Sequence, residues 1–201
     1  QIREIRPDII LTHPENGLYP HPDHLAIWEI VRAAFEAAAD AQRYPEAGAP
    51  WAAARLFTRA LPQSFFDAIP EFAKYRVELN GEQLPFFATP DEAIDVVMTV
   101  ADWAEHRMAA WECHCSQHNP NSPFVSVPAP LHQEMAQIEY FILDAARVPL
   151  PEGRPQHDLL AGLTDDDDEA DQDYITALRA HLAIGEAHLT VYQHYLRQSP
   201  E

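Results

Sequence analysis

Between residues 13 and 24 the chain carries three histidines, His13, His21 and His24, together with Glu15, Tyr19 and Asp23. Neutral imidazoles and carboxylates are the ligands zinc takes, and a tyrosine or a further imidazole beside them serves as proton donor or acceptor. Within His21-Pro22-Asp23-His24, the ring of Pro22 fixes one φ angle and so restricts how the two flanking histidines sit relative to each other. Residue types alone leave two readings. One is a metal or acid–base site. The other is that Asp23 complements the positive end of a helix dipole while the histidines merely lie at its surface.

The elements that position this loop are legible on either side of it. Residues 8–12 include the β-branched run Ile9-Ile10-Leu11, as a buried parallel strand would. Residues 13–20 hold two prolines and Glu15-Asn16-Gly17, and read as a loop. Pro22 suits the first position of a helix, and from there to about Ala41 the residues Trp28, Val31 and Phe35 recur at helical spacing. Residues 43–50 form a loop, 54–61 and 75–79 read as strands, and 62–72 as a short helix and turn. Thr89 with Glu92 makes a capping-box pattern, so a helix is expected from there to about Cys115, burying Ile94, Val97, Ala101 and Met108. A short helix near 131–138 and a strand near 139–145 follow. Strand, helix, strands, helix, strand is the order of an α/β sheet protein, whose ligands bind at the carboxyl ends of strands. The loop at 13–24 leaves such an end directly.

The remainder of the chain narrows the classes. With 32 acids against 13 bases, Lys74 being the only lysine, the formal net charge is −19. Such a surface repels phosphate backbones, so nucleic acid is a poor partner. No apolar run approaches the roughly 18 residues a membrane span needs. Cys113 and Cys115 are expected to be free thiols in a reducing, cytoplasmic setting. Residues 149–155 read as a loop, and Asp165–Asp168 opens an acidic linker (164–173) that lacks the spacing and glycine of an EF-hand. Residues 174–196 have helical periodicity, within a C-terminal extension (174–201) that suits docking on the domain or on a second copy of the chain. His106, Cys113, His114, Cys115 and His118 match no standard zinc module. The four tryptophans are expected to pack, with Trp51, in a proline-rich loop, the one that would suit sugar stacking.

Three segments in order carry a resemblance. Arg6-Pro-Asp-Ile-Ile-Leu-Thr12, Asn16-Gly-Leu-Tyr19 and His21-Pro-Asp-His24 resemble the second signature of the LmbE/PIG-L de-N-acetylases. This family includes the mycothiol-pathway deacetylase and amidase and the GlcNAc-phosphatidylinositol de-N-acetylase. His114-Cys-Ser-Gln117 followed by Pro123-Phe124, and Asp158-Leu-Leu-Ala-Gly-Leu163, resemble two later family elements. The resemblance implies a Rossmann-like, three-layer α/β fold, of which residues 1–163 are the C-terminal portion. It implies a zinc-dependent hydrolase that removes an N-acetyl or related N-acyl group from an amino-sugar-like or other small amide substrate. His24 then corresponds to a zinc ligand, His21 to the residue that stabilises the oxyanion as an imidazolium, and Tyr19 to the tyrosine lining the site. Asp23 is placed to orient an adjacent imidazole, and His114 and Gln117 to line the pocket wall. Pro20 stands where the family commonly has glycine.

The family's first motif, Ala-His-Pro-Asp-Asp, supplies two further zinc ligands and the general base, and nothing in these residues matches it. Residues 1–6 read as the tail of a helix entering a strand, so a preceding segment of the same protein is expected, without which this chain should not catalyse. The alternative is a degenerate, non-catalytic homologue with a structural or interaction role.

Overall fold

The computed structural model describes residues 1–115 and 135–163. A one-turn helix, α1 (Ile2–Ile5), ends where Arg6 adopts a left-handed conformation, and β1 (Ile9–Thr12) follows. The long helix α2 (Pro22–Ala39) returns the chain to β2 (Arg55–Arg59). Two short helices, α3 (Gln63–Ala68) and α4 (Pro70–Lys74), lead to a hairpin of β3 (Arg76–Leu79) and β4 (Glu82–Pro85). Then come β5 (Val96–Thr99), α5 (Ala104–Glu112) and β6 (Ile138–Ala146).

Four strands form one mixed sheet in the order β1-β2-β6-β5. β1 and β2 are parallel, with Ile10 opposite Leu56 and Thr12 opposite Thr58, while β6 runs antiparallel to both of its neighbours. Alternation along the strands sends side chains to two faces. Val31 and Phe35 of α2 cover Ile10, Leu56 and Ala145 on one face, with Trp51 packed beside them. Phe57, Val96 and Phe141 cover the other, closed by Leu150 and Leu159 from the segment after β6. The molecule is thus an α/β protein, with the sheet between α2 and that closing segment.

Two buried arginines tie these layers together through carbonyl groups. Arg3 donates to the carbonyls of Ala37, Ala38 and Asp40 at the end of α2, and to those of Arg43, Tyr44 and Gly48 beyond it. Helix ends leave such carbonyls without intrahelical partners, and the last turn of α2 has no basic residue of its own to serve them. Arg55 is fully buried and donates to Val148, Pro149 and Leu159, clamping the closing segment onto the sheet. Burial lowers its pKa, and Asp158 opposes that shift.

The helix expected from Thr89 to Cys115 is replaced by a 3-10 turn (Asp91–Ala93), β5, a second 3-10 turn (Ala101–Trp103) and α5. Thr89 does not cap: its N–H goes to Leu61 and its carbonyl accepts from Gln63. The Asp91 carboxylate accepts from the backbone and hydroxyl of Ser64 rather than from its own turn. Val96, Val97 and Thr99 are β-branched and favour a pleated surface, and β6 offers them one. Ile94 and Val96 are buried, as a strand would bury them; Ala101 is exposed. Asp95 is buried as well, accepting the Leu143 N–H at 2.8 Å and pairing with Arg154 at 3.0 Å.

Residues Gln1–Ala161 pack as one unit. The expected linker at 164–173 and the helix at 174–196 lie outside the described residues. Among those described, no helix is long and apolar enough to cross a membrane.

Candidate functional site

The loop at 13–21 leaves the carboxyl end of β1, beside the parallel β2, and is shaped by two consecutive left-handed residues, Gly17 (φ 73°) and Leu18 (φ 66°). The Gly17 N–H donates to Pro14, and the Leu18 N–H to the side chain of Asn16. The Leu18 carbonyl accepts from Phe87 at 2.7 Å, which joins the loop to the segment after β4. His21 is the N-cap of α2: its Nδ1 accepts the Asp23 N–H at 3.1 Å, and Pro22 occupies the first turn.

Those contacts assign tautomers. Because His21 Nδ1 accepts a hydrogen bond, the ring is neutral with its proton on Nε2, and it presents a donor. His24 is the reverse. Its Nδ1 lies 2.9 Å from the Gly17 carbonyl, which can only accept, so Nδ1 carries the proton and Nε2 keeps a free lone pair. That is the form in which imidazole binds a metal. The His24 ring is held on two further sides: His13 stacks on it at 3.9 Å and 16°, and Tyr19 meets it edge-on at 4.7 Å. His21 is 5.3 Å away, centroid to centroid.

Tyr19 in turn packs on Phe86 at 5.1 Å. Burial, then Tyr75 and Asp23, raise its pKa, so its phenol stays protonated and is a donor at neutral pH. Burial lowers the pKa of His13, with His24 and Arg59 adding to the shift, so its ring stays neutral. His13 Nδ1 is buried without a hydrogen-bond partner among the described residues.

The structure therefore brings Tyr19, His21 and His24 together and adds His13, to which the sequence motif assigns no role. Its signal was positional: it directly follows a strand end. The Asp23 side chain is almost fully exposed, and its carboxylate stands 3.9 Å from His21 Nδ1, beyond a hydrogen bond. His114 is exposed beyond the end of α5, and Gln117 and His118 lie outside the described residues. Cys113 and Cys115 are free. Trp51 is a packing residue, its indole N–H donating to Pro7 at 2.7 Å. Among the described residues no group of three or more His, Cys, Asp or Glu side chains is arranged to hold a metal. The residues present fit one ligand, His24, and do not by themselves make a zinc centre.

Two hollows flank the cluster. One, about 450 Å³, opens beside Leu18, Phe86 and Arg59. The other, about 640 Å³, runs along the outer side of β1 and is walled by Ile5, Leu11, Ile27 and Ile30.

An imidazole cluster at the carboxyl end of a parallel strand, with one ring fixed as a ligand and another as a donor, defines an α/β protein equipped for polar group chemistry. Comparison with known proteins says which kind. No family model matches the chain. It is 31% identical over 169 residues to a 1D-myo-inositol 2-acetamido-2-deoxy-alpha-D-glucopyranoside deacetylase of Geodermatophilus obscurus, covering 81% of this chain and 57% of that protein. With the deacetylase of the same name from Rhodococcus erythropolis, identity is 33% over 170 residues, 81% of this chain and 56% of the relative. A mycothiol S-conjugate amidase of Streptomyces coelicolor is 30% identical over 176 residues, 82% of this chain and 58% of the relative. The chain belongs to the LmbE/PIG-L family. It spans little more than half the length of the curated relatives it matches.

Proposed function

We propose that the protein is a hydrolase of N-acyl amides, removing an acetyl or related group from an amino-sugar-like or other small substrate, and that this chain supplies part of its active site. The observation that carries the reading is the His24 ring. Its Nδ1–H is pinned to the Gly17 carbonyl and its faces are occupied, so Nε2 has one direction in which to bind. The relatives named as deacetylases and an amidase support the same reaction class.

Zinc is the cofactor the resemblance implies; when bound it would polarise the acyl carbonyl and acidify a water. His24 is the residue here that would hold it. The remaining ligands and the general base must come from outside the described residues, and our candidate is a segment bearing a His-Pro-Asp-Asp motif. The free edge of β1 and the apolar wall beside it support the addition of such a segment, which would complete a Rossmann-like three-layer arrangement.

The chain's own groups have separable tasks. His21 Nε2–H would donate to the carbonyl oxygen as it gains charge, and the Tyr19 phenol is a second donor of the same kind. An imidazolium at His21 requires Nδ1 to release the Asp23 N–H and turn to the Asp23 carboxylate, 3.9 Å away. The unpaired thiols Cys113 and Cys115 support a reducing, cytoplasmic setting.

The test uses the full-length protein, with metal content measured alongside amine release from N-acetylglucosamine, its inositol glycoside and N-acetylcysteine. His24→Ala should lose both metal and activity. Full metal loading with no amine released from any of these amides would overturn the reading.

A further inference from the structure

The hollow of about 450 Å³ beside the histidine cluster has a character of its own. Its walls are largely apolar, with Phe65, Phe86, Met108 and Met135 among them. The charged groups at its surface, among the described residues, are Arg59, Arg107 and Glu139. Arg107 pairs with Glu139 at 2.9 Å and also donates to the Ala136 carbonyl. Arg59 comes no closer to the same carboxylate than 4.0 Å, and that is its only ion pair among the described residues. One carboxylate thus stands against two guanidinium groups, and Arg59 is the one left largely uncompensated.

In a chain with 32 acids and 13 bases, an arginine without a close carboxylate is the exception. Its place is also informative. Arg59 is the last residue of β2, and Thr58 is opposite Thr12, so Arg59 sits beside His13 at the carboxyl ends of two parallel strands. Its charge is felt there, contributing to the lowered pKa of His13. Leu18 and Phe86, which line the hollow, hold the loop and ring of Tyr19. The hollow and the cluster therefore share a wall.

We propose that this hollow is a subsite for the non-reacting part of the substrate, and that Arg59 selects compounds carrying an anionic group, a carboxylate or a phosphate ester. A guanidinium presents a planar fork of donors that matches either anion, and the apolar walls lower the local dielectric in which they would meet. The inference rests on the proposed N-acyl substrate and adds the charge of the group it carries.

Three probes share the acetamido sugar and differ in charge: N-acetylglucosamine, N-acetylglucosamine 6-phosphate and N-acetylmuramic acid. Calorimetry on the full-length protein should show at least one anionic probe binding about tenfold more tightly than the neutral sugar; which one does so separates phosphate from carboxylate. Arg59→Gln should abolish that preference, and Arg59→Lys should retain most of it. Equal binding of the three probes, no binding of any, or a preference that survives Arg59→Gln would each overturn the subsite. Amine release is measured separately. Anion preference without hydrolysis refutes the catalytic reading and keeps the subsite; hydrolysis without preference does the opposite.

Discussion

Gly17→Ala tests whether the loop geometry is what prepares His24. A methyl group at Gly17 would lie 2.6 Å from the Tyr19 carbonyl oxygen, 3.0 Å from His24 Cβ and 3.4 Å from a Leu25 methyl. The first of these is a backbone atom and cannot rotate away. The φ of +73° adds about 1–2 kcal/mol for any L-residue. Relieving the contact adds about 1–3 kcal/mol if the loop holds its shape. Should the loop move instead, the Gly17 carbonyl leaves His24 Nδ1, and a hydrogen bond of about 1 kcal/mol goes with it. Gly81→Ala is the control. Gly81 also has a positive φ, of 85°, but a methyl there meets nothing within 4 Å, so only the dihedral cost of about 1–2 kcal/mol applies. Urea unfolding at constant m should therefore rank Gly17→Ala as the costlier change, by about 1–2 kcal/mol. Nitrogen chemical shifts of His24 should report a loss of the fixed Nδ1–H tautomer in that variant alone. Equal destabilisation by the two substitutions, with His24 unchanged, would refute the argument that Gly17 sets the ligand.

Arg55→Met should cost about 3–5 kcal/mol, because three carbonyls of the closing segment lose their donor together; a urea midpoint near wild type would show that water replaces the guanidinium. Burial, His24 and Arg59 hold the His13 pKa below its unfolded value of 6.5, so the unfolded chain takes up the proton first. The stability this gives is complete above pH 6.5 and declines as the pH falls below it. His13→Gln should remove that part of the acid sensitivity, and parallel declines in wild type and variant between pH 7.5 and 5 would exclude His13 as its source. His21→Ala should lower kcat about 10²-fold or more with metal content unchanged, the loss expected for an oxyanion donor; release of metal would assign His21 a different task.

Much of this architecture was legible before any coordinates. Ile9-Ile10-Leu11 and the α2 periodicity marked a strand and a helix because burial there follows local pattern. The stretch after Thr89 misled because its helix-like spacing and capping pair are local, whereas the β6 partner and the Ser64 contact that decide its fate lie far off in sequence. The β3–β4 hairpin had a signal that was overlooked: Asn80-Gly81, both at positive φ, is the two-residue turn such hairpins favour. At the site, Tyr19, His21 and His24 were visible as a motif. His13 stacking and the weakly paired Arg59 were not, because each depends on two parallel strands lying side by side.

The outer side of β1 has a consequence for how the chain behaves in solution. Ile5, Leu11, Ile27 and Ile30 are exposed along an unpaired strand edge, which is the kind of surface on which copies of a protein adhere. The net charge of −19 opposes that approach, but only over the range at which charge is felt. That range contracts from about 10 Å at 0.1 M salt to about 3 Å at 1 M. This polypeptide should therefore be kept apart by its own acidity in dilute buffer and cluster as salt is added, so ionic strength sets its colloidal behaviour.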